Sequence, residues 1–281
     1  MIAILPYLWY PVTLALAIVG FVLLLGAGVP IALAAYLPVF IAGVAILVLE
    51  RLFPERLLWR PCAADVRADA AFLTLIQVAL PRVLALVIVV LISTWSHDSV
   101  RSTLWPHDWP LAAQIVAMVL IVDFFRYWLH RACHRFRPLW RLHEVHHSPE
   151  ILYMLNVGRF HPLEKVLHFA VDSVPFLLMG VAPQVIAGYF LLYSVNGFFQ
   201  HSNLKLRYGP LNYIVGSAET HRWHHARDPR TAACNFSNTT IVWDLLFATW
   251  FLPADRVVED IGVIDRNYPR GFLRQMRAPF R

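Results

Sequence analysis

The stretch that decides the fold is residues 109–147, WPLAAQIVAMVLIVDFFRYWLHRACHRFRPLWRLHEVHH. Its first part, Trp109–Leu129, is largely apolar and long enough to cross a membrane as a helix. Its second part carries two histidine clusters, His130–Arg–Ala–Cys–His134 and His143–Glu–Val–His146–His147. Imidazoles three or four positions apart share one face of a helix, and neutral imidazole is a common metal ligand. The stretch therefore predicts a membrane helix followed directly by a metal site.

A third cluster, His221–Arg–Trp–His224–His225, repeats the His-x-x-His-His pattern of the second. The three clusters hold eight of the 13 histidines, more than one four-coordinate ion takes. His201 ends a later apolar segment and supplies a ninth imidazole, whereas for His161 a ligand role and a core or capping role are both open. His97, His107 and His168 are not expected to take part. We expect two metal ions, bound by His130, His134, His143, His146, His147, His201, His221, His224 and His225.

The composition indicates an integral membrane protein. Mean hydropathy is +0.55 and 15% of the residues are charged, against about 25% in soluble domains. No charged side chain precedes Glu50, and a single helix of that length would be about 70 Å long, roughly twice the hydrocarbon core of a bilayer. A break at Gly26, Gly28 and Pro30 predicts two spans instead, Trp9–Ala27 and Ile31–Leu49.

Further apolar segments follow these two spans. Ala70–Ser93 is interrupted by Pro81, which predicts either one kinked span or an interfacial helix followed by a short one. Trp109–Leu129 is a clearer span. The last pair, Val166–Met179 and Pro183–Gln200, consists of short arms, which predicts a hairpin that enters the bilayer and returns.

The arginines indicate how the chain is oriented. The loops after the second span and around the first two histidine clusters are rich in arginine, whereas the opposite loops hold almost none. Basic loops face the cytoplasm, so both termini and all three clusters are expected there. This asymmetry and contact with anionic lipid headgroups explain the net charge of +6. Because the arginines are scattered along membrane borders, no nucleic-acid partner is expected. No disulfides are expected on that side among Cys62, Cys133 and Cys234.

Two carboxylates lie close to the clusters in sequence. Asp123 shares a helix face with the first cluster and is expected to accept the free N–H of a ligating imidazole; a salt bridge to Arg126 or Arg131 is the alternative. Glu144 completes a His-Glu-x-x-His pattern of the kind used by zinc proteases. The third cluster has Arg222 at the matching position, so the glutamate is incidental to the shared triple histidine.

Motifs from Leu111 to Leu252 together resemble the fatty-acid hydroxylase/sterol desaturase superfamily of integral membrane polyhistidine di-iron oxygenases. They run in the order Asp-x3-Tyr-Trp-x-His-Arg-x2-His, Trp-x2-His-x2-His-His, Phe-His-Pro-x-Glu, His-x-Asn, His-Arg-Trp-His-His and Trp-Asp-x-Leu-Phe-x-Thr. Two positions depart from the family pattern. Ala248 stands where glycine is frequent, and Gly197 stands where some fatty-acid hydroxylases have a histidine. The second departure favours a sterol- or alkylglycerol-type relative over a ceramide hydroxylase type.

The resemblance implies an all-α integral membrane protein with a cytoplasmic helical cap that holds a polyhistidine di-metal centre. It implies an O2-dependent non-haem di-iron hydroxylase or desaturase that acts on an unactivated C–H bond of a membrane lipid of sterol, fatty acyl or alkylglycerol type. Two iron ions, O2 as co-substrate and an external electron donor of the cytochrome b5 or ferredoxin/reductase type are implied with it. The sequence carries no motif for a haem, flavin or iron–sulfur cluster of its own.

The resemblance also places Asn235, Trp243 and Asp244 beside the centre. Asp244 is expected to accept an N–H from His221 or His225, and a helix-capping aspartate without histidine contact is the alternative. Trp243–Leu252 is too short to span a bilayer and predicts a short helix or interfacial segment.

Three regions and two rival functions complete the expectations. We expect transmembrane helices in residues 1–110, the catalytic region in residues 111–252 and a basic cytoplasmic tail in residues 253–281. A membrane zinc protease is one rival function, although nine histidines exceed the needs of one zinc ion. A metal transporter or sensor is the other, although its ligands would lie within the spans along a pathway.

Overall fold

Helices make up the regular structure of the part of the chain that the computed structural model describes, residues 2–95 and 104–281, together with three isolated β-bridges. This confirms the predicted all-α class. Among the described residues, four helices are long and apolar enough to cross a membrane: Leu5–Gly26 (α1), Ile31–Leu52 (α2), Ala63–Leu91, and Leu111–Arg135 (α5). Three of them coincide with the predicted spans Trp9–Ala27, Ile31–Leu49 and Trp109–Leu129, and Ala63–Leu91 covers most of the segment Ala70–Ser93, for which two alternatives were left open. His97 lies outside the described residues.

The turn between α1 and α2 lies where the glycines and proline predicted it. Gly28 has a φ of 73°, a backbone conformation that glycine adopts without steric cost. The N–H groups of Ala27 and Val29 donate to the last carbonyls of α1, those of Leu23 and Leu24. The turn therefore satisfies carbonyl groups at the end of α1, and α2 begins after only four intervening residues.

The third span is continuous but not regular. It consists of Ala63–Ala71 (α3), a π-helical segment Phe72–Ala79, and Leu80–Trp95 (α4). Pro81 follows the π-helical segment and has no N–H to donate, and π-helical turns commonly occur as bulges within α-helices. Of the two predicted alternatives, one irregular span is therefore the observed structure.

The rest of the fold consists of shorter helices. The predicted hairpin is present as three helices, the first two forming its first arm, with the turn at Gly180. The predicted short segment near Trp243 is a helix of five residues. These elements are Arg137–His147 (α6), Pro162–Asp172 (α7), Val174–Leu178 (α8), Pro183–His201 (α9), Ala218–His224 (α10), Pro229–Ala232 (α11), Val242–Leu246 (α12) and Phe272–Arg277 (α13).

Helix α9 is the centre of the bundle and packs against α1, α2 and α5. Its buried residues Val195 and Phe199 join the core formed by the first two helices. Gly43 of α2 lets the Phe198 ring approach closely, because a Cβ at that glycine would lie 3.2 Å from the ring. Tyr10 of α1 donates a 2.8 Å hydrogen bond to Asn196. This packing holds the carboxyl end of α9, which carries His201, among the other histidine-bearing helices.

Three buried carboxylates on the membrane helices hold the loops around the site. Glu50 of α2 accepts the backbone N–H groups of Met154 and Asn203, both at 3.0 Å. Asp69 of α3 pairs with the guanidinium of Arg159, the Nε bond being 2.6 Å long. Asp123 of α5 accepts from the backbone of residues 239 and 240 at 2.9 and 2.5 Å. Each carboxylate thus connects a loop near the histidines to a membrane helix.

Candidate metal centre

The structure brings the nine predicted histidines together as two neighbouring groups. Within each group the ring nitrogens that could bind an ion lie within 4.8 Å of one another. The groups touch each other, because the His147 and His225 rings stack with centroids 4.4 Å apart. The first group contains His130, His134, His143, His147 and His224, and the second contains His146, His201, His221 and His225.

Each His-x-x-His-His cluster contributes to both groups. His143 and His147, four positions apart on α6, face the first group, and the intervening His146 faces the second. The third cluster does the reverse, since His221 and His225 face the second group while His224 faces the first. Adjacent positions on a helix differ by about 100° in direction, and the adjacent rings are perpendicular in both clusters. The three histidines of each His-x-x-His-His motif are therefore divided between the two groups and are not all directed into one of them.

The outward nitrogens of several rings are fixed by acceptors. His130 Nδ1 meets the Phe236 carbonyl at 2.7 Å, and His143 Nδ1 meets the Glu164 carboxylate at 2.6 Å. His224 Nδ1 meets the Cys234 carbonyl at 2.8 Å, and in the second group His146 meets the carbonyl of residue 159 at 3.3 Å. Because carbonyl and carboxylate oxygens only accept, each Nδ1 is the donor. The Nε2 lone pair of each ring is then free for a metal.

The inward nitrogens fit metal ions and not hydrogen bonds among themselves. His130 Nε2 and His143 Nε2 lie 2.9 Å apart, yet both neutral rings already carry their proton on Nδ1. Two facing lone pairs repel unless a cation binds both, and nitrogens at about 2.1 Å from one ion can lie about 3 Å apart. His134 Nε2 and His224 Nε2 are buried and have no hydrogen-bond partner among the described residues. The donor set therefore fits bound metal.

The protonation of these rings agrees with a ligand role. Burial, followed by the neighbouring imidazoles, holds the pKa of His146, His147, His221 and His225 well below the usual value. Burial lowers the pKa of His224 to about 3. At neutral pH these five rings are uncharged and can donate a lone pair.

Asp244 and Asp123 were expected to accept N–H groups from imidazoles, but in the structure both accept backbone N–H groups. Asp244 makes no contact with His221 or His225, so that prediction is wrong. It accepts from the backbone of Phe236 and residue 237 at 2.8 and 2.7 Å and from the Thr249 hydroxyl at 2.6 Å. Asp123 likewise accepts backbone N–H groups and no imidazole. Both carboxylates shape the loop whose Phe236 carbonyl orients His130, because short acidic side chains satisfy buried loop N–H groups well.

The other tentative residues lie around the two groups and not within them. His161 accepts from the N–H of residue 163 as the cap of α7 and meets the Met276 carbonyl, which is the capping alternative. Asn235 binds the backbone of residues 220 and 251 and holds a left-handed φ of 52°. Glu144 is half-buried on α6, and burial raises its pKa. His107 lies in neither group.

Some site residues were not predicted. His168 lies 3.4 Å from the Glu164 carboxylate that orients His143, so the expectation that His168 is unrelated to the site is wrong. Asn156 accepts from His201 Nδ1 at 2.8 Å. Cys133, His143 and Glu164 also form a third group of possible ligands, although Glu164 already binds Nδ1 of that histidine. The Phe-His-Pro-x-Glu motif contained the signal for Glu164, whereas nothing local identified Asn156.

A cavity of about 230 Å³ connects the histidines with the apolar helices. His130, His143, His146, His201 and His221 form part of its wall. Another part comes from apolar residues of α2, the π-helical segment and α9, and Phe40 of α2 has 68% of its surface exposed. The cavity therefore adjoins both the histidine groups and helices that are candidate membrane spans. The residues of that wall include Tyr36, Val39, Phe40, Val78, Phe190 and Phe198.

Comparison with known proteins agrees with this arrangement. Residues 115–249 match the family model described as fatty acid hydroxylase. The chain is 32% identical to the ornithine lipid hydroxylase OlsE of Rhizobium tropici over 253 residues, which are 86% of this chain and 74% of that protein. It is 31% identical to alkylglycerol monooxygenase of Danio rerio, covering 49% of this chain but only 30% of that relative.

A third relative extends the range of reactions. The very-long-chain aldehyde decarbonylase GL1-8 of Oryza sativa subsp. indica is 32% identical over 56% of this chain and 59% of its own length. No solved structure matches the chain. The histidine motifs, the helical membrane fold and the extent of the match to OlsE lead to one assignment: the chain belongs to the fatty acid hydroxylase family.

Proposed function

We propose that this protein is an O2-dependent, non-haem di-iron hydroxylase that acts on an unactivated C–H bond of a membrane lipid. The observation that carries the proposal is the pair of adjacent imidazole groups beside a cavity that is also lined by apolar residues of candidate membrane helices. The names of two relatives, a lipid hydroxylase and an alkylglycerol monooxygenase, support hydroxylation over desaturation.

In this function the residues of the chain would have the following roles. The nine imidazoles would hold two iron ions, which would supply the activation of O2 needed for attack on a C–H bond. The Phe236, Cys234 and Glu164 oxygens keep the ligating nitrogens directed inward. The apolar wall of the cavity orients the lipid chain and excludes water. One oxygen atom enters the substrate and the other leaves as water, so two electrons and two protons are needed.

The electrons must come from another protein or cofactor. Within the described residues the candidate redox ligands are the histidine groups already assigned to metal. We propose an external one-electron donor of the cytochrome b5 or ferredoxin/reductase type. The basic loops favour a cytoplasmic location for the histidine layer and both termini, which would expose the centre to such a donor.

Metal content and lipid products test the proposal together. Protein purified from iron-supplemented cells is expected to contain about two irons per chain, and expression should add one oxygen to a membrane lipid, measured by mass spectrometry. His146→Ala should abolish the product and lower the iron content, whereas His161→Ala, which removes only a cap, should retain both. One zinc per chain with no oxidised lipid would contradict the proposal and favour a hydrolase.

A further inference from the structure

Four polar side-chain atoms of residues that line the histidine cavity are buried without a hydrogen-bond partner among the described residues. They are Nη1 of Arg126, Oγ of Ser237, Nδ1 of His168 and Oε1 of Gln77. The Gln77 oxygen can only accept a hydrogen bond, whereas the Arg126 and Ser237 groups can donate to an anion. A buried guanidinium in a membrane helix is costly and marks a functional site by default. Only 7% of the surface of Arg126 is exposed. These atoms are therefore candidates for contact with a bound molecule.

Arg126 lies about one helical turn from His130 of the first histidine group. Arg126, His130 and His134 are four residues apart on α5 and share one helix face, with about 6 Å of rise between neighbours. Arg126 and His130 line the same cavity. Ser237 follows Phe236, whose carbonyl orients His130, and its own N–H is held by Asp244 at 2.7 Å. Arg126 and Ser237 thus lie close in the chain to His130 and to the residue that orients it, whereas Gln77 belongs to the π-helical segment.

The ion pair of Arg126 leaves its Nη1 available. Asp172 lies 3.7 Å from that nitrogen, which is too long for a hydrogen bond. The carboxylate reduces the cost of burying the charge, but the N–H groups still lack an acceptor. Guanidinium groups bind carboxylates and phosphates through paired N–H donors.

A second cavity of about 420 Å³ adjoins the first and is also lined by cationic side chains, Arg82 and Lys165. Arg82 is a weaker candidate for a head-group site. It is solvent- or lipid-exposed, donates to the Tyr36 hydroxyl at 3.3 Å and lies 4.3 Å from the centroid of that ring. Its charge is already in contact with an aromatic partner, whereas the Arg126 Nη1 is not.

We propose that Arg126, with the hydroxyl of Ser237, binds an oxyanion head group, a carboxylate or phosphate, of the lipid substrate. The lipid then enters the cavity with its polar end near the histidines and its tail along the apolar wall towards the bilayer. The carbon that reaches the metal centre lies within a few atoms of the head group and not in the middle of the chain. This inference rests on the proposed function for the identity of its ligand as a substrate.

Binding measurements test the site without requiring turnover. The probes are hexadecanoate, hexadecyl phosphate and 1-hexadecanol, which share one chain length, added to purified iron-loaded protein in detergent and followed by isothermal titration calorimetry. Wild-type protein should bind one or both oxyanion probes about 10- to 100-fold more tightly than the alcohol. The probe with the larger preference identifies the head group as carboxylate or phosphate. Equal affinity for all three probes would overturn the proposal.

Variants locate the site. The pair Arg126→Gln with Asp172→Asn keeps the buried site neutral and should remove the oxyanion preference while leaving affinity for 1-hexadecanol unchanged. Ser237→Ala, a smaller change, should reduce the preference several-fold, which keeps the test valid if the double variant does not fold. Arg82→Gln is the matched control and should retain the preference. Loss of preference in Arg82→Gln, or its survival in the Arg126 and Ser237 variants, would contradict the assignment. Failure of the proposed function would appear separately, in iron content and lipid products.

Discussion

At the scale of single residues, the acceptors behind the histidines decide which nitrogen is presented to the metal. Glu164 is the strongest of them, since its carboxylate is buried and lies 2.6 Å from His143 Nδ1. Partners of this kind raise the basicity of the ligand and fix its orientation, and their loss typically costs 10- to 100-fold in metal affinity. The carboxylate is therefore as much a part of the site as the imidazole it holds.

We predict that Glu164→Gln lowers iron affinity by about 10- to 100-fold, because a neutral amide accepts the His143 proton less strongly. The measurement is iron retained per chain after dialysis against a graded series of chelator concentrations. Glu144→Gln on α6 is the matched control, since that carboxylate lies outside both groups, and it should retain wild-type iron. Equal iron loss in the two variants would show that Glu164 has no special role.

A second residue-scale feature is the backbone at Ala248. This alanine has a φ of 56°, in the left-handed region that costs a residue with a Cβ about 1–2 kcal/mol. This is the position at which the sequence departs from the pattern of the family it resembles, where glycine is frequent. The departure is thus visible in the structure as local strain.

Replacement of Ala248 by glycine should relieve that strain. Part of the gain is lost because glycine is more flexible in the unfolded chain, so we expect the free energy of unfolding to rise by about 0.5–1 kcal/mol. Thermal unfolding in detergent measures the change. Ala254→Gly, at an exposed loop position without a positive φ, should have no stabilising effect. A lower melting temperature for Ala248→Gly would refute the strain argument.

Eight of the nine histidines could be identified as candidate ligands from sequence because their spacing within each cluster is a local property. Most of their acceptors could not. His201 meets Asn156 across 45 positions and His130 meets the Phe236 carbonyl across 106. Such pairs depend on how separate helices pack, which the spacing of residues within one helix does not specify. Asp244 illustrates the error that follows, because the motif placed it near the site but did not specify its partners.

At the scale of elements, the loops of the site are held by carboxylates on the membrane helices. Asp123 of α5 binds the N–H groups of Thr239 and Thr240 through one oxygen. The same loop carries Ser237 and the Phe236 carbonyl. A substitution of Asp123 on the membrane helix should therefore alter the loop that contains Phe236 and Ser237.

Asp123→Ala would leave two backbone N–H groups without their acceptor, at a cost of about 1–3 kcal/mol each if they remain buried. We predict that the loop opens instead, so that amide hydrogen exchange accelerates at Thr239 and Thr240 while the bundle remains folded. Asp108→Ala, at an exposed position before α5, is the control and should leave exchange unchanged. Unaltered exchange in the Asp123 variant would mean that other contacts hold the loop.

Hydropathy predicted the membrane helices well because the signal is the composition of a whole segment. The ends were displaced by a few residues where polar side chains continue a helix, as in α5, which runs on to Arg135 beyond the predicted Leu129. The π-helical segment could not be predicted, since its hydrogen bonds depend on the packing around Phe72–Ala79. The sequence did show an irregularity there, through Pro81.

At the scale of the whole molecule, the positions of the cysteines allow the predicted orientation to be tested. Cys62 is exposed at the start of α3, whereas Cys133 and Cys234 are buried. If the histidine side is cytoplasmic, a membrane-impermeant maleimide should label the wild-type protein only after cells are permeabilised. Ala27→Cys in a Cys62→Ser background, at the opposite turn, should be labelled in intact cells. Labelling of Cys62 in intact cells would reverse the orientation.

The exchange of adjacent histidines between the two groups has a consequence for assembly. The cluster on α6 and the cluster at the end of α10 each contribute histidines to both groups. Bound ions would therefore cross-link helices that are distant in sequence and restrict the chain between them. The first ion would bring together the helices that complete the second group, so loading should be cooperative. We expect native mass spectra of partially loaded protein to show chains with no iron or two irons, and few with one. A statistical distribution of zero, one and two irons would show that the groups fill independently.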